Sequence, residues 1–358
     1  MKKYLNKIFL IILFVREVFI NLFIKADIYY VVENANWSIK EDGKNIKKYI
    51  KKYKMHCTYF PRGIRNSIIH FGSINSFIKK NNNFAKYDKS NKIIVTWFHI
   101  ARDYPKEIIQ EANKRVDVFH TSCELTKNKL IKLGINSNKI IVIPLGIDLN
   151  IYFDIDEINK NIIKNKLNIN KNKILIGSFQ KDGEGWEEGN VPKLIKGPDR
   201  FCNIAEKLNM KNIEVILSGP ARGYVKNRLK TAGIEYKDFY FKNPNEVAKL
   251  YQIIDLYIVA SREEGGPKAI LESMACGVPI LSTRVGMAPD IIKNGENGFV
   301  IDEYSEEKFI EKIKFILENK EEREILIRKG LETIKSYNLE IITKKYEKEL
   351  YKKLKEGK

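Results

Sequence analysis

The sequence predicts an α/β protein made of two doubly wound, Rossmann-like domains facing a cleft. Three features carry that expectation. Short apolar segments rich in β-branched and aromatic residues alternate with charged, helix-like segments, as parallel sheets covered on both faces require. The alternation runs as far as Pro144, breaks, and starts again after the polar run Asp154–Lys173. The chain of 358 residues is also long for a single hydrophobic core and comfortable for two.

In the first half, Asp27–Val32, Ile68–Phe71, Ile93–Phe98, Val116–Phe119 and Ile140–Ile143 read as strands, being short and apolar with turn residues around them. The polar stretch Glu33–Gly43 precedes a basic helix expected over Lys44–Tyr53, and a second helix is expected over Glu124–Leu133. In the second half, Ile174–Gly177, Glu214–Leu217, Leu256–Ala260 and Pro279–Ser282 read as strands. Asp199–Leu208, Asn245–Tyr251 and Lys268–Ala275 read as helices, and Asp182–Pro192 as a glycine-rich insertion. The C-terminal stretch is charged and helical, without the apolar residues of a further domain. The expected division is a lead over 1–24, a domain over 25–155 to which a C-terminal helix 338–358 returns, and a domain over 156–337. Ligands of such sheets bind beyond the carboxyl ends of the strands.

Composition narrows the function classes. The net charge is +19. Residues 1–150 hold 27 Lys+Arg against 12 Asp+Glu, whereas the remaining 208 hold 37 against 33. A bias confined to one half fits contact with an anionic membrane surface or acidic acceptor, and equally a solvated lysine-rich face; charge alone does not decide. No nucleic-acid partner is expected, because no recognition-helix, zinc-finger or aromatic RNA-binding signature occurs. Cys57, Cys123, Cys202 and Cys276 are scattered, which gives neither a zinc site nor a disulfide framework and points to a reducing, cytoplasmic setting.

The lead places Lys2, Lys3 and Lys7 before the apolar run Ile8–Val15, which Arg16 and Glu17 interrupt before Val18–Ile24 resumes. Crossing a bilayer takes ~20 uninterrupted apolar residues, and a central charge pair is costly there. No small-residue cleavage site follows. A helix lying on a membrane surface, peripheral on its inner face, or packed on the body is expected instead.

The most informative stretch is Ser261–Pro279, SREEGGPKAILESMACGVP. It leaves a strand end, passes through glycines and enters a helix, so backbone N–H groups and the positive end of a helix dipole meet at one place suited to a diphosphate. Glu264 and Glu272 add carboxylates able to accept hydrogen bonds from vicinal hydroxyls. This stretch, continued by Gly286, Asn294-Gly295 and Asn297-Gly298, resembles the E-x7-E signature of family 4 of the retaining glycosyltransferases, which have the two-domain GT-B fold. The resemblance runs from about Asp27 to the C-terminus and is sharper after Lys173. It implies that residues 25–155 bind the acceptor and residues 156–337 a nucleotide-sugar. It implies further that Glu264 binds a hydroxyl of the transferred sugar, that Glu272 binds the ribose, and that Gly265, Gly266 and Pro267, leading into Lys268, border the diphosphate.

No Asp-x-Asp metal motif stands in a convincing place. No metal or cofactor is therefore expected, the nucleoside-diphosphate sugar serving as co-substrate, and positive side chains must neutralise the leaving diphosphate. Lys196-Gly197 resembles the family's Lys-Gly. The family's arginine after a glycine is replaced by Gly177-Ser178-Phe179-Gln180-Lys181, which makes Lys181, backed by Lys193, the candidate second cation. Arg222 reads either as a further phosphate contact or as a surface arginine, and Asn243-Pro244 falls at the family's base-contacting loop. In the first half, His99 follows an apolar strand where the family often carries a functional histidine, although a buried structural histidine fits as well. Gly43 resembles the family's N-domain glycine loop without its double glycine; Asn36, Trp37 and Asp42 are candidate acceptor contacts.

The function the resemblance implies is glycosyl transfer from a nucleoside-diphosphate sugar to a glycan or lipid-linked hydroxyl acceptor with retention of configuration, in cell-envelope or polysaccharide synthesis. A nucleotide-sugar epimerase or phosphorylase of the same fold, and a nonenzymatic nucleotide-sugar-binding protein, are the alternatives. A dinucleotide oxidoreductase is disfavoured, since no G-x-G-x-x-G follows Asp27–Val32.

Overall fold

The computed structural model describes residues 2–33, 38–100, 102–210 and 212–356. The chain divides into two compact units, one of residues 1–144 with 339–358, the other of residues 145–338. Each is a six-stranded parallel sheet flanked by helices.

The first unit contains β1 (Ile28–Val31), β2 (Met55–Thr58), β3 (Ile68–Phe71), β4 (Lys92–Thr96), β5 (Val118–Thr121) and β6 (Ile140–Val142), in the spatial order β2-β1-β3-β4-β5-β6. The chain order runs outward in opposite senses from β1 and β3 in this parallel sheet, so the loops after those two strands part at that point. β1, β3 and β5 are buried along their whole length, which accounts for their unbroken apolar character in the sequence.

The second unit contains β7 (Ile174–Phe179), β8 (Ile213–Ser218), β9 (Tyr236–Phe239), β10 (Leu256–Val259), β11 (Ile280–Thr283) and β12 (Phe299–Ile301), in the order β12-β11-β10-β7-β8-β9. This is the doubly wound arrangement in which the switch point lies between the first and fourth strands, β7 and β10. Helix Pro198–Leu208 buries Phe201, Cys202, Ile204, Ala205 and Leu208 against the sheet, and helix Glu306–Glu318 adds Phe309, Ile313 and Ile316.

The C-terminal residues of the first unit are fastened by a buried polar chain. His70 and His120 are both fully enclosed. The Ile143 carbonyl can only accept, so His120 donates to it from Nε2 over 3.0 Å, which leaves His120 Nδ1 to accept from Thr96 Oγ1 at 2.9 Å. Thr96 then accepts from His70 Nε2 at 2.8 Å, and His70 Nδ1 accepts from the Tyr351 hydroxyl at 3.0 Å. Both imidazoles are thus neutral in one directional chain that ends on the C-terminal segment. The Glu347 carboxylate adds a second tie by accepting from the backbone N–H groups of Lys51 and Lys52, at 2.7 and 2.8 Å.

Burial pushes the pKa of His120 down from 6.5 to about 4, and burial with the neighbouring His120 holds His70 well below its ordinary value. The native histidines resist protons that the unfolded chain takes up near 6.5, so stability is lost as pH falls from there towards 4. His120 alone should cost ~1.4 kcal/mol per pH unit in that window, and His70 adds to the loss in the same direction. Denaturant melts at pH 7 and pH 5 should show the loss, and His120→Gln should reduce its slope. Wild-type stability that does not change across the window would contradict the assignment.

Candidate functional site

The switch point of the second unit sends two loops outward, residues 180–197 after β7 and residues 260–267 after β10. They carry Lys196 and Glu264 to the same place. Lys196 Nζ donates to both Glu264 oxygens, each at 2.7 Å. Ser261 Oγ donates to Glu264 Oε1 at 2.9 Å, and Gln180 Nε2 holds the Lys196 carbonyl at 3.0 Å. The carboxylate is therefore aimed by its own loop and by the lysine opposite.

Gly197 explains why a glycine must follow that lysine. Its φ is +66°, and an added Cβ would stand 2.0 Å from the Ala260 carbonyl oxygen, far inside contact distance. Only glycine lets the chain press onto the end of β10 in this conformation. Arg262 fixes the approach from the other side: its guanidinium pairs with Asp199 at 2.7 and 2.6 Å and donates to the Leu194 carbonyl at 2.7 Å.

Gly265 and Pro267 are buried, while Gly266 and Lys268 are partly exposed where helix Lys268–Ala275 begins. Gly286 packs on this turn, since a Cβ there would lie 2.7 Å from the Gly265 carbonyl oxygen. Glu272 lies one turn into the helix. Burial raises its pKa, opposed by Tyr251, Lys268 and Tyr152; Tyr152 and Tyr251 are themselves raised, first by burial and then by the Glu272 charge. Two tyrosines thus face this carboxylate.

Two further lysines, Lys181 and Lys193, gather beside the Lys196–Glu264 pair. Lys193 has its pKa lowered by burial and then by the charges of Lys196 and Lys181, which places all three within electrostatic reach of one another. Lys181 Nζ stands 4.7 Å from the centre of the Trp186 ring and donates to the Gly183 carbonyl, so the insertion covers the lysine with a cation–π contact. Among the described residues, no group of three or more His, Cys, Asp or Glu is arranged to hold a metal ion.

Two expectations are corrected. Gly43 is not on a loop. It lies within helix Ser38–Tyr49, where a Cβ would come within 2.7 Å of the Tyr30 ring, and its role is close helix–sheet packing. Arg222 is neither a surface residue nor a phosphate contact: it is buried beside Asp182, Nε to Oδ1 3.1 Å, and donates to the Ser178 and Ser218 carbonyls. His99 belongs to the first unit, exposed beyond the carboxyl end of β4, with its carbonyl accepting from Trp97 Nε1 at 3.1 Å. Asp42 shares the helix of Gly43, and Asn36 and Trp37 lie outside the described residues. Asn243 accepts from the N–H of Asn245 as a turn cap, and Asn294 and Asn297 build the turn before β12 through Val300 N–H and Lys293 N–H.

The two units, each built on a Rossmann-like parallel sheet, match the fold of GT-B glycosyltransferase structures. The fold matches Anabaena HepE, solved in complex with UDP-glucose, at a TM-score of 0.73 and 14% identity over 92% of this chain and 100% of that one. It also matches sucrose-phosphate synthase from Thermosynechococcus elongatus, at 0.65 and 15% identity over 89% of this chain and 79% of that one. Residues 190–333 match the family model of glycosyl transferases group 1. N-acetyl-alpha-D-glucosaminyl L-malate synthase of Bacillus anthracis is 24% identical over 55% of this chain and 56% of its own length. The N,N'-diacetylbacillosaminyl-diphospho-undecaprenol alpha-1,3-N-acetylgalactosaminyltransferase of Campylobacter jejuni is 26% identical over 66% of this chain and 59% of its own. The matches thus span little more than half the length of these curated relatives.

Proposed function

We propose that this chain transfers a glycosyl group from a nucleoside-diphosphate sugar to a hydroxyl acceptor with retention of configuration. The observation that carries the reading is the Lys196–Glu264 pair, held at 2.7 Å where β7 and β10 diverge. In it a cation for a diphosphate stands beside an acceptor for a sugar hydroxyl. Lys181 and Lys193 add positive charge around it, and Glu272, with Tyr152 and Tyr251, receives the ribose. Gly265, Gly266 and Pro267, with Lys268, border the diphosphate; His99 meets the sugar or the acceptor.

In the reaction, the bond between the anomeric carbon and the diphosphate oxygen breaks, and its electron pair leaves with the diphosphate. The acceptor oxygen attacks on the same face and its proton passes to the departing phosphate oxygen. Lysines fixed in advance stabilise the charge as it develops, without reorganising at that moment. A glycan or lipid-linked acceptor in cell-envelope synthesis is in keeping with the Campylobacter jejuni relative, whose name specifies a diphospho-undecaprenol-linked acceptor.

A thermal-shift screen of nucleoside-diphosphate sugars tests the reading. The cognate donor should raise the melting temperature, its stabilisation free energy growing with the logarithm of its concentration over Kd and reaching ~2.7 kcal/mol at a hundredfold excess. No shift with any donor would contradict it. Product analysis without acceptor separates the alternatives, because epimerised donor marks an epimerase.

A further inference from the structure

Helix Lys2–Phe23 sits on the first unit with Glu17 and Asn21 turned inward, while Arg16 is exposed on the outward side. Glu17 and Asn21 are buried. Glu17 Oε2 accepts from Thr58 Oγ1 at 2.9 Å and from the Tyr59 N–H at 3.2 Å, and Asn21 Nδ2 donates to the Phe60 and Arg62 carbonyls at 2.8 and 3.0 Å. These contacts fix the rotation of the helix, and they leave Ile11, Ile12, Val15, Phe19, Leu22 and Phe23 outside, each 60–70% exposed. An amphipathic helix of a water-soluble body normally presents the opposite face. Scattered exposed apolar residues need no explanation, but a contiguous stripe does.

The surroundings say what covers it. Beside the end of the helix, Leu22 and Lys25 line a cavity of about 660 Å³ with Arg62, Arg65 and Lys86. Asp88, its one acidic lining residue among those described, is already paired with Arg65 at 3.2 Å. A second, mainly apolar cavity of about 460 Å³ runs from Phe14 to Phe60 and shares Arg62 and Lys86 with the first; Lys79 and Glu33 also line it. An apolar stripe bordered by cations is complementary to an interface that is apolar inside and anionic at its rim. No helix among the described residues is long and apolar enough to cross a membrane, so the fit is to a surface.

We propose that this helix and the two cavities beside it dock the chain onto a bilayer carrying anionic phospholipids. The outward stripe enters the acyl boundary, and Lys25, Arg62, Arg65 and Lys86 meet the headgroups. The proposal is independent of the donor site.

Vesicle flotation of the full chain tests it, using phosphatidylcholine with and without phosphatidylglycerol. The wild type should float with the anionic vesicles, less with phosphatidylcholine alone, and less as salt rises. Phe19→Asp, whose side chain faces away from the body, should lower the bound fraction roughly tenfold or more. Arg65→Glu with Lys86→Glu should remove the preference for anionic lipid, and thermal melts of the variants check that the fold is kept. A wild type that floats with neither vesicle overturns the proposal, as does equal flotation of folded Phe19→Asp. A concentration-dependent dimer that Phe19→Asp dissolves, without vesicle binding, also overturns it and assigns the stripe to a second copy of the chain.

Discussion

Lys196→Ala is expected to lower turnover by roughly 10²–10³-fold, the usual cost of removing one preorganised group that stabilises charge developing in a transition state. The lysine is poised for that role by geometry on both sides. Gln180 holds its carbonyl at 3.0 Å, and Gly197 lets the chain lie against the Ala260 carbonyl as no other residue would. Glu264→Gln complements it by keeping shape and removing charge. If Glu264 receives a sugar hydroxyl and also aims Lys196, both variants should lose turnover while their melting temperatures stay near that of the wild type. Lys196 Nζ and Glu264 lie at loop ends and are partly exposed, so neither change opens the core. A Lys196→Ala protein with undiminished turnover on a saturating donor would remove the lysine from the mechanism.

Arg222→Met should cost ~3–5 kcal/mol, the range for removing one member of a buried ion pair. Arg222 donates to the Ser178 and Ser218 carbonyls, at the ends of β7 and β8, and faces Asp182. Burial already pushes the Asp182 carboxyl up to about 6 against the pull of Arg222, so removing the arginine leaves an enclosed acid without the main charge that opposes its desolvation. The expected melting-temperature drop is on the order of 10 °C. The double variant Arg222→Met with Asp182→Leu should recover part of it, since no uncompensated charge remains. A single variant that melts with the wild type would show the pair to be dispensable. The same pair reaches the site, because Asp182 follows Lys181 and opens the insertion, whose Gly183 and Gly189 are pressed onto the Ala221 backbone.

The strands legible in the sequence were those enclosed on both faces, such as β1, β3, β8 and β10, where parallel pairing demands unbroken apolar runs. The three that were not, β2, β9 and β12, all lie at sheet edges. β9 reads Tyr-Lys-Asp-Phe, and charges are tolerated at an edge and useful there. Gly43 misled for a different reason: a glycine after a polar stretch signals a loop locally, whereas its actual constraint is the Tyr30 ring, distant in sequence. Glu264, Glu272 and Lys196 stood out in the sequence through the resemblance of their motifs to a known family, and the structure brings Lys196 and Glu264 together. Tyr152 beside Glu272, and Asp182 beside Arg222, did not stand out, since contacts between distant segments leave no periodic trace. Ser261 was within reach, three residues ahead of Glu264 on the same strand-end turn.

The most direct measurement is a crystal structure of the chain soaked with its nucleoside-diphosphate sugar. The account predicts the diphosphate against Lys196 and the loop Gly265–Pro267, a sugar hydroxyl on Glu264, and the ribose on Glu272. A donor bound with all three side chains untouched would contradict it.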